Sequence, residues 1–208
     1  MVSRLLPLFF LLIFFSCKKN NSQYELSGHL KDAFEGNGIE GVHVSLLKQE
    51  VANGVVNAFY QEETSGISNS SGEFKLSWPN QQVLSYKIRL EKENFYTKEI
   101  EINPDELQLN VLNEVSYDLF AKSWLNLSIQ STSIDGSIAF SSQGTTEVCE
   151  CEELSSIPFS SNTPLSLNCG TFGNGYLKYV VYDSVGNVVL IDSLLSVPFV
   201  TNSLQLSF

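Results

Sequence analysis

The sequence predicts an all-β protein: two tandem β-sandwich domains that follow a short apolar N-terminal signal helix. Three observations predict it. Apolar residues recur at every second position in segment after segment from Tyr24 to Phe208, the period of a strand with one buried face. Beyond residue 17 no long segment repeats them at helical spacing, and the only Met is Met1. Ser, Asn, Gly, Val and aromatic residues dominate instead, as they do in sandwiches. The same alternation excludes a disordered tail on an anchor, because such tails lack apolar surface to bury.

The leader comes first. Arg4 precedes the unbroken apolar run Leu5–Phe15, a layout that fits an export signal and is too short to stay in a bilayer as a spanning helix. Its end, Phe14-Phe15-Ser16-Cys17, resembles a bacterial lipobox. The resemblance implies removal of residues 1–16 and lipidation of Cys17, which gives a membrane partner through the anchor. Each buried methylene contributes ~0.8 kcal/mol, so several acyl chains hold permanently. Loss of Arg4 takes the formal charge from −11 to −12, a balance that argues against nucleic acid and against electrostatic docking to an anionic bilayer. Residues 17–23 form the lipidated cysteine and a polar tether that reaches roughly 20 Å. In Bacteroidetes-type lipoproteins, acids soon after the cysteine resemble a surface-export tag. Here Lys18-Lys19-Asn20-Asn21 follows, so the expected place is the outer membrane, facing the periplasm.

Residues 24–122 read as the first sandwich. Tyr24, Leu26, Gly28 and Leu30 share one face, with Glu25, Ser27, His29 and Lys31 on the other. A Gly-rich charged loop over 32–40 leads into the alternating stretch Gly41–Leu46. Residues 50–63 read as an irregular excursion followed by a strand through Phe59 and Tyr60. Ser68–Gly72 is a turn in which Gly72 supplies a positive φ. Phe74, Leu76 and Trp78 then alternate with Glu73, Lys75 and Ser77, and Tyr86–Leu90 repeats the pattern. Ile100 and Ile102 face inward between Glu99 and Glu101. Asn103-Pro104-Asp105-Glu106 is a stop, 107–112 a short turn or helix, and Val115, Tyr117, Leu119 and Ala121 the closing strand.

This order of signals resembles the carboxypeptidase regulatory-like (prealbumin-like, or transthyretin-like) domain. The matching pieces are Ser27–Asp32, Gly38-Ile39-Glu40-Gly41-Val42-His43-Val44-Ser45-Leu46, Thr64, Ser71-Gly72-Glu73-Phe74-Lys75-Leu76, Tyr86-Lys87-Ile88 and Phe95-Tyr96, within residues 26–102. The resemblance implies an Ig-like sandwich that carries no catalytic residues. Two departures stand out: Leu47–Glu63 is long for the family, and Asn94 precedes Phe95-Tyr96 where a Gly-Tyr pair is usual.

Residues 123–208 read as a second small sandwich of unrecognised family. Leu125, Leu127 and Ile129 share a face, Ile138 and Phe140 follow, a hairpin runs from Leu177 through Gly186-Asn187 to Ile191, and Leu204–Phe208 closes the chain. Terminal Phe208 resembles a barrel-insertion signal, but long alternating segments are too few for a barrel, so a last sandwich strand is expected.

Chemistry-bearing groups are sparse. The two histidines, His29 and His43, match no metal-ligand spacing and read as exposed strand residues. No nucleophile elbow and no phosphate-cradling Gly loop appears, so neither enzyme activity nor a cofactor is expected. Lipidation of Cys17 leaves Cys149, Cys151 and Cys169 in an oxidising compartment. If 147–152 form a strand, Cys149 and Cys151 share a face and either can bridge to Cys169, leaving the other thiol free. A loop of ~20 residues closed in this way contributes about 3 kcal/mol. The acids around them read as a solvated edge that discourages aggregation. Trp78, Trp124, Tyr60 and Tyr96 could stack on sugar rings, although Trp78 shares its face with Phe74 and Leu76. Asp183-Ser184-Val185 and Asp192-Ser193-Leu194 resemble Bacteroidetes O-glycosylation acceptors, with Ser184 and Ser193 as the modified residues. The expected function is therefore a non-catalytic envelope lipoprotein that binds or spaces a partner protein. The alternative is a glycan-binding accessory of a polysaccharide-uptake system.

Overall fold

The computed structural model describes residues 22–52 and 55–208; the signal segment, Cys17 and the remainder of the tether to residue 21 lie outside them. The protein is all-β, two sandwiches in tandem. In the first, β1 (Gln23–Asp32) lies between antiparallel β5 (Glu73–Pro79) and parallel β8 (Leu112–Leu119). The facing sheet runs β4 (Gln61–Ile67), β2 (His43–Ala52), β6 (Val83–Glu91), β7 (Lys98–Ile102), all antiparallel, with β3 (Val55–Val56) on the far end of β2.

Period-two alternation sets the faces. Phe74, Leu76 and Trp78 of β5 are buried, while Glu73, Lys75 and Ser77 are exposed. Leu26, Leu30, Val44, Leu46, Ile88 and Leu90 meet at the centre, each contributing about 1.5–3 kcal/mol by leaving water. Tyr24, Trp78 and Tyr86 close one end of this core, with ring centroids 5.5 Å, 5.6 Å and 6.3 Å apart. The Ser68–Gly72 turn forms as expected: Asn69 Oδ1 accepts from Ser71 N and Glu73 N, and Gly72 has φ 82°. A Cβ at Gly72 would lie 2.2 Å from Leu30 O, so glycine is required by space as well as by φ. Asn94 has φ 64°, which explains how it stands where the family resemblance expects glycine.

One expectation fails in this half. Phe59 lies in a bend and Tyr60 outside any strand, and the strand starts at Gln61; Phe59 is 78 % exposed. The expected turn in 107–112 forms at Leu109-Asn110, with Asn110 at φ 57°. A helical turn at Pro104–Glu106 precedes it, because Asn103 Oδ1 accepts from Asp105 N and Pro104 suits a first helical position. Leu112 already belongs to β8.

The second sandwich repeats the plan. β9 (Lys122–Gln130) lies between antiparallel β12 (Leu165–Phe172) and parallel β15 (Thr201–Ser207). Its partner sheet is β11 (Ile157–Phe159), β10 (Gly136–Ser142), β13 (Tyr176–Asp183) and β14 (Val188–Leu195). Leu125, Leu127, Ile129, Ile138, Leu177 and Val181 fill a core separate from the first. Asp183 caps the β13–β14 turn by accepting from Val185 N, Asn187 N and Asn187 Nδ2. Phe208 stacks on Phe159 at 5.9 Å, the position of a closing sandwich residue. Between β10 and β11 sits a single helical turn, α1 (Glu150–Glu153).

Candidate functional site

The two sandwiches meet through backbone and aromatic contacts. Gly173 N donates to Ala121 O (2.8 Å), Lys122 N to Asn94 O (2.7 Å) and Phe199 N to Lys122 O (2.8 Å). Phe172 packs on Phe120 (4.5 Å between centroids) and Tyr96 (5.3 Å), Phe34 packs on Phe120 (5.6 Å), and Phe95 on Phe199 (5.5 Å). Gly175 permits this approach, since a Cβ there would lie 2.7 Å from the Phe34 ring. Tyr96 Oη donates to Thr171 O at 3.2 Å. Burial, with the charge of Glu150 and then Cys149 adding, pushes the Tyr96 hydroxyl up to about 12. Beside this joint Tyr96, Phe120, Phe172, Lys98, Asp118 and Glu147 line a cleft of about 190 Å³. That is smaller than the roughly 300 Å³ at which ligand pockets begin.

The cysteines form a structural cap against the joint. Cys151 and Cys169 are bridged, and Cys149 is free and buried. Residues 147–152 do not form a strand: Glu150–Glu153 is the turn α1, so Cys149 and Cys151 do not share a strand face, and it is Cys151 that bridges. Glu152 explains the difference: it reaches back to accept from Cys149 N at 2.9 Å and from Ser142 Oγ at 3.0 Å, and it also binds Ser142 N. Glu150 Oε2 accepts from Gly170 N at 2.8 Å on the adjacent strand. Glu150 and Glu152 thus also bind backbone, while Glu147, Glu150 and Glu153 are exposed to solvent as expected. Burial raises the Cys149 thiol above its ordinary value, which makes it a poor nucleophile.

Other singled-out residues are dispersed. His29 on β1 lies 2.6 Å from Ser71 O through Nε2, and His43 on β2 lies 3.2 Å from Ser45 Oγ through Nδ1; the two belong to different sheets. Among the described residues no group of His, Cys, Asp or Glu could hold a metal ion. The four aromatics proposed for sugar stacking share no face. Trp78 is 2 % exposed in the first core, Tyr96 lies in the joint, Tyr60 packs under Lys87 Nζ at 4.5 Å, and Trp124 stands on the outside of β9. Ser184 is exposed in the β13–β14 turn and Ser193 on β14 itself.

One surface was not foreseen. The outer face of the sheet β10–β13–β14 carries Tyr176, Val180, Tyr182, Val188, Ile191 and Leu195, interrupted by Lys178 and Ser193. Tyr176, Val188, Ile191 and Leu195 are exposed. The opposite sheet presents Trp124 with Asn126, Ser128, Gln130, Ser203, Gln205 and Ser207, and the first sandwich presents Glu, Lys, Arg and Ser together with the scattered apolar residues Val55, Val56, Phe59, Ile67 and Leu84. Tyr176, Val188, Ile191 and Leu195 lie on either side of the polar row formed by Lys178 and Ser193 and concentrate on two paired strands, which makes this face the candidate interaction surface. The unbroken run Val188-Val189-Leu190-Ile191 was the available signal, because a half-buried strand should alternate there.

No model of a known protein family matches the chain, and no curated protein matches it. Among solved structures, the chain is similar to the Bacillus anthracis TIE protein (10 % identity, TM-score 0.40), covering 89 % of this chain and 34 % of that one. It thus spans about a third of that protein's length. It is also similar to GBS52, the minor pilin of Streptococcus agalactiae (12 % identity, TM-score 0.34, covering 88 % and 94 %). A third likeness is to the shaft pilin SpaA of Lactobacillus rhamnosus GG (8 % identity, TM-score 0.35, covering 89 % and 96 %).

Proposed function

We propose that the protein is a non-catalytic envelope lipoprotein, anchored through Cys17 in the outer membrane and facing the periplasm, that holds a protein-binding face at a set distance from the bilayer. In this reading residues 24–122 are the membrane-proximal spacer domain and residues 123–208 the domain that meets the partner. The observation that carries it is the set of exposed apolar side chains Tyr176, Val188, Ile191 and Leu195 gathered on the outer face of β13 and β14. The hydrogen-bonded aromatic joint adds to it, because a joint of this kind keeps that face in a fixed orientation. Two measurements test the reading. An alkyne fatty acid should label the wild type and not Cys17→Ser; equal labelling would remove the anchor. A soluble form beginning at Lys18, immobilised, should retain a discrete envelope protein from extracts, and failure to retain any would remove the binding role.

A further inference from the structure

This inference rests on that binding reading and names the chemistry of the partner. We propose that the open edge of β14 accepts an extended, basic strand of another protein, which adds to the sheet as a fifth strand. β14 ends its sheet, with β13 on one side and, among the described residues, no strand on the other. An open edge presents unpaired N–H and C=O groups, and proteins ordinarily blunt it with Lys, Glu or Pro, or by keeping it short. β12 is also an edge of eight residues without Lys, Glu or Pro, but Glu150 Oε2 accepts from its Gly170 N and its exposed side chains are Ser166 and Asn168. The other edges follow the rule, β5 with Glu73, Lys75 and Pro79. β4 begins Gln61-Glu62-Glu63, β7 carries Lys98, Glu99 and Glu101, β8 carries Glu114 and Asp118, and β11 is three residues with Pro158. β15 is uncharged but hides its two leucines and exposes polar side chains. β14 alone is eight residues long, lacks Lys, Glu and Pro, and exposes Val188, Val189, Ile191 and Leu195. Tyr182 pairs with Val188 and Val181 with Leu190, so Val189 is a bulge and the regular edge runs from Leu190 to Leu195.

Charge identifies the occupant. From residue 123 onward Lys178 is the only basic residue, against Asp135, Glu147, Glu150, Glu152, Glu153, Asp183 and Asp192. All ion pairs among the described residues lie in the first sandwich. Asp192, in the middle of β14, takes only neutral donors: Ser193 N at 2.8 Å and Tyr179 Oη at 3.4 Å. An added strand with apolar side chains over Ile191 and Leu195 places its alternate residues on the Asp192 side, where Lys or Arg is favoured. A second copy is a worse fit. Edge-to-edge pairing of two β14 strands brings two Asp192 carboxylates near one another and joins two chains of formal charge −11.

The test uses the full mature chain carrying Cys17→Ser and three synthetic peptides: alternating Val and Lys, alternating Val and Glu, and the Val-Lys peptide with alternate backbone nitrogens methylated. The Val-Lys peptide should slow amide exchange across Leu190–Leu195, bind about tenfold more tightly than the Val-Glu peptide, and lose binding on methylation. Ile191→Lys should abolish binding without moving Tm, since Ile191 is 56 % exposed. Unslowed exchange at β14, equal binding of the methylated peptide, or equal binding of the Val-Glu peptide would each overturn the proposal. A dimer in sedimentation that Ile191→Lys dissociates would give the edge to a second copy instead. Should Ile191→Lys still retain the envelope protein captured by the wild type, the strand site fails while the binding role stands.

Discussion

The two sandwiches share one plan and are finished differently. Each pairs its first strand in parallel with its last and places a second antiparallel sheet over the core. The first closes its core with Tyr24, Trp78 and Tyr86 and carries all the ion pairs of the described residues on its outside. There Lys75 meets Glu25 at 2.6 Å, and Lys87 and Arg89 converge on Glu99 at 3.0 Å and 2.7 Å. The second has no ion pair among its described residues, fastens α1 to β12 by a disulfide, and leaves one sheet face apolar. The difference teaches that apolar side chains left in water add nothing to the fold of the free protein. A cross-link and a side-chain cap supply stability to the domain that carries them.

The joint is where this comparison breaks most readily. Phe172→Ala should cost about 3–5 kcal/mol, because the ring is buried against Phe120 and Tyr96. Calorimetry should then resolve two transitions, the lower from the second sandwich; one unsplit transition would show that the domains do not depend on this contact. Next in size is the bridge. Replacing Cys151 and Cys169 together by Ala should cost the second sandwich about 3 kcal/mol and leave the first unchanged. Intact mass of the parent should show one disulfide and one thiol, Cys149, that alkylates only on unfolding. Three thiols reacting under native, non-reducing conditions would remove the bridge from this account.

Smaller effects sharpen the contrast. Glu152→Ala strips the partner from Cys149 N and Ser142 N and should cost about 1–2 kcal/mol. Asp183→Ala, which unties only the exposed β13–β14 turn, should cost less. Tyr96 gives a test in pH. Its folded value is raised, so above pH ~10 the unfolded chain ionises first while the folded form keeps its proton. Stability is therefore whole below that pH and is lost as pH rises towards 12, and Tyr96→Phe should flatten the loss. The smallest change belongs to Glu99→Gln. Hydrogen bonds from Lys87 and then Arg89 hold the Glu99 carboxyl below the usual range. Its contribution is present above the ordinary carboxylate value, falls away in acid, and is screened by ~1 M salt. A large loss of Tm at neutral pH would mean that the surface charge of the first sandwich does more than coat it.

Most strands were legible wherever alternation was strict, as in β1, β5, β6 and β9, because each has one face in water and one in a core. β4 was placed too early: Gln61-Glu62-Glu63-Thr64-Ser65-Gly66-Ile67 is a half-exposed edge with no apolar period. α1 was not legible, because Cys149 and Cys151 alternate with acids in a pattern that a strand would also give. The turn is made by a long-range partner, Ser142, and by a bridge that a sequence period cannot register. The joint stayed hidden for the same reason. Phe34, Tyr96, Phe120 and Phe172 are far apart in the chain and become neighbours only after both sheets form. The apolar face was visible as four consecutive apolar residues, a pattern that violates the period expected of a half-buried strand.

The parallel pairing of first and last strands bears on mechanics. In each sandwich the two strands run side by side in one direction, from Glu25 opposite Leu112 to Asp32 opposite Leu119, and from Trp124 opposite Thr201 to Gln130 opposite Ser207. The chain therefore enters each domain at one pole and leaves it at the other. Tension along the molecule pulls these neighbours past each other in shear, so their ladder bonds must fail together and not one after another as in an unzipping hairpin. A sandwich built this way stays stiff under load up to a threshold and then yields abruptly.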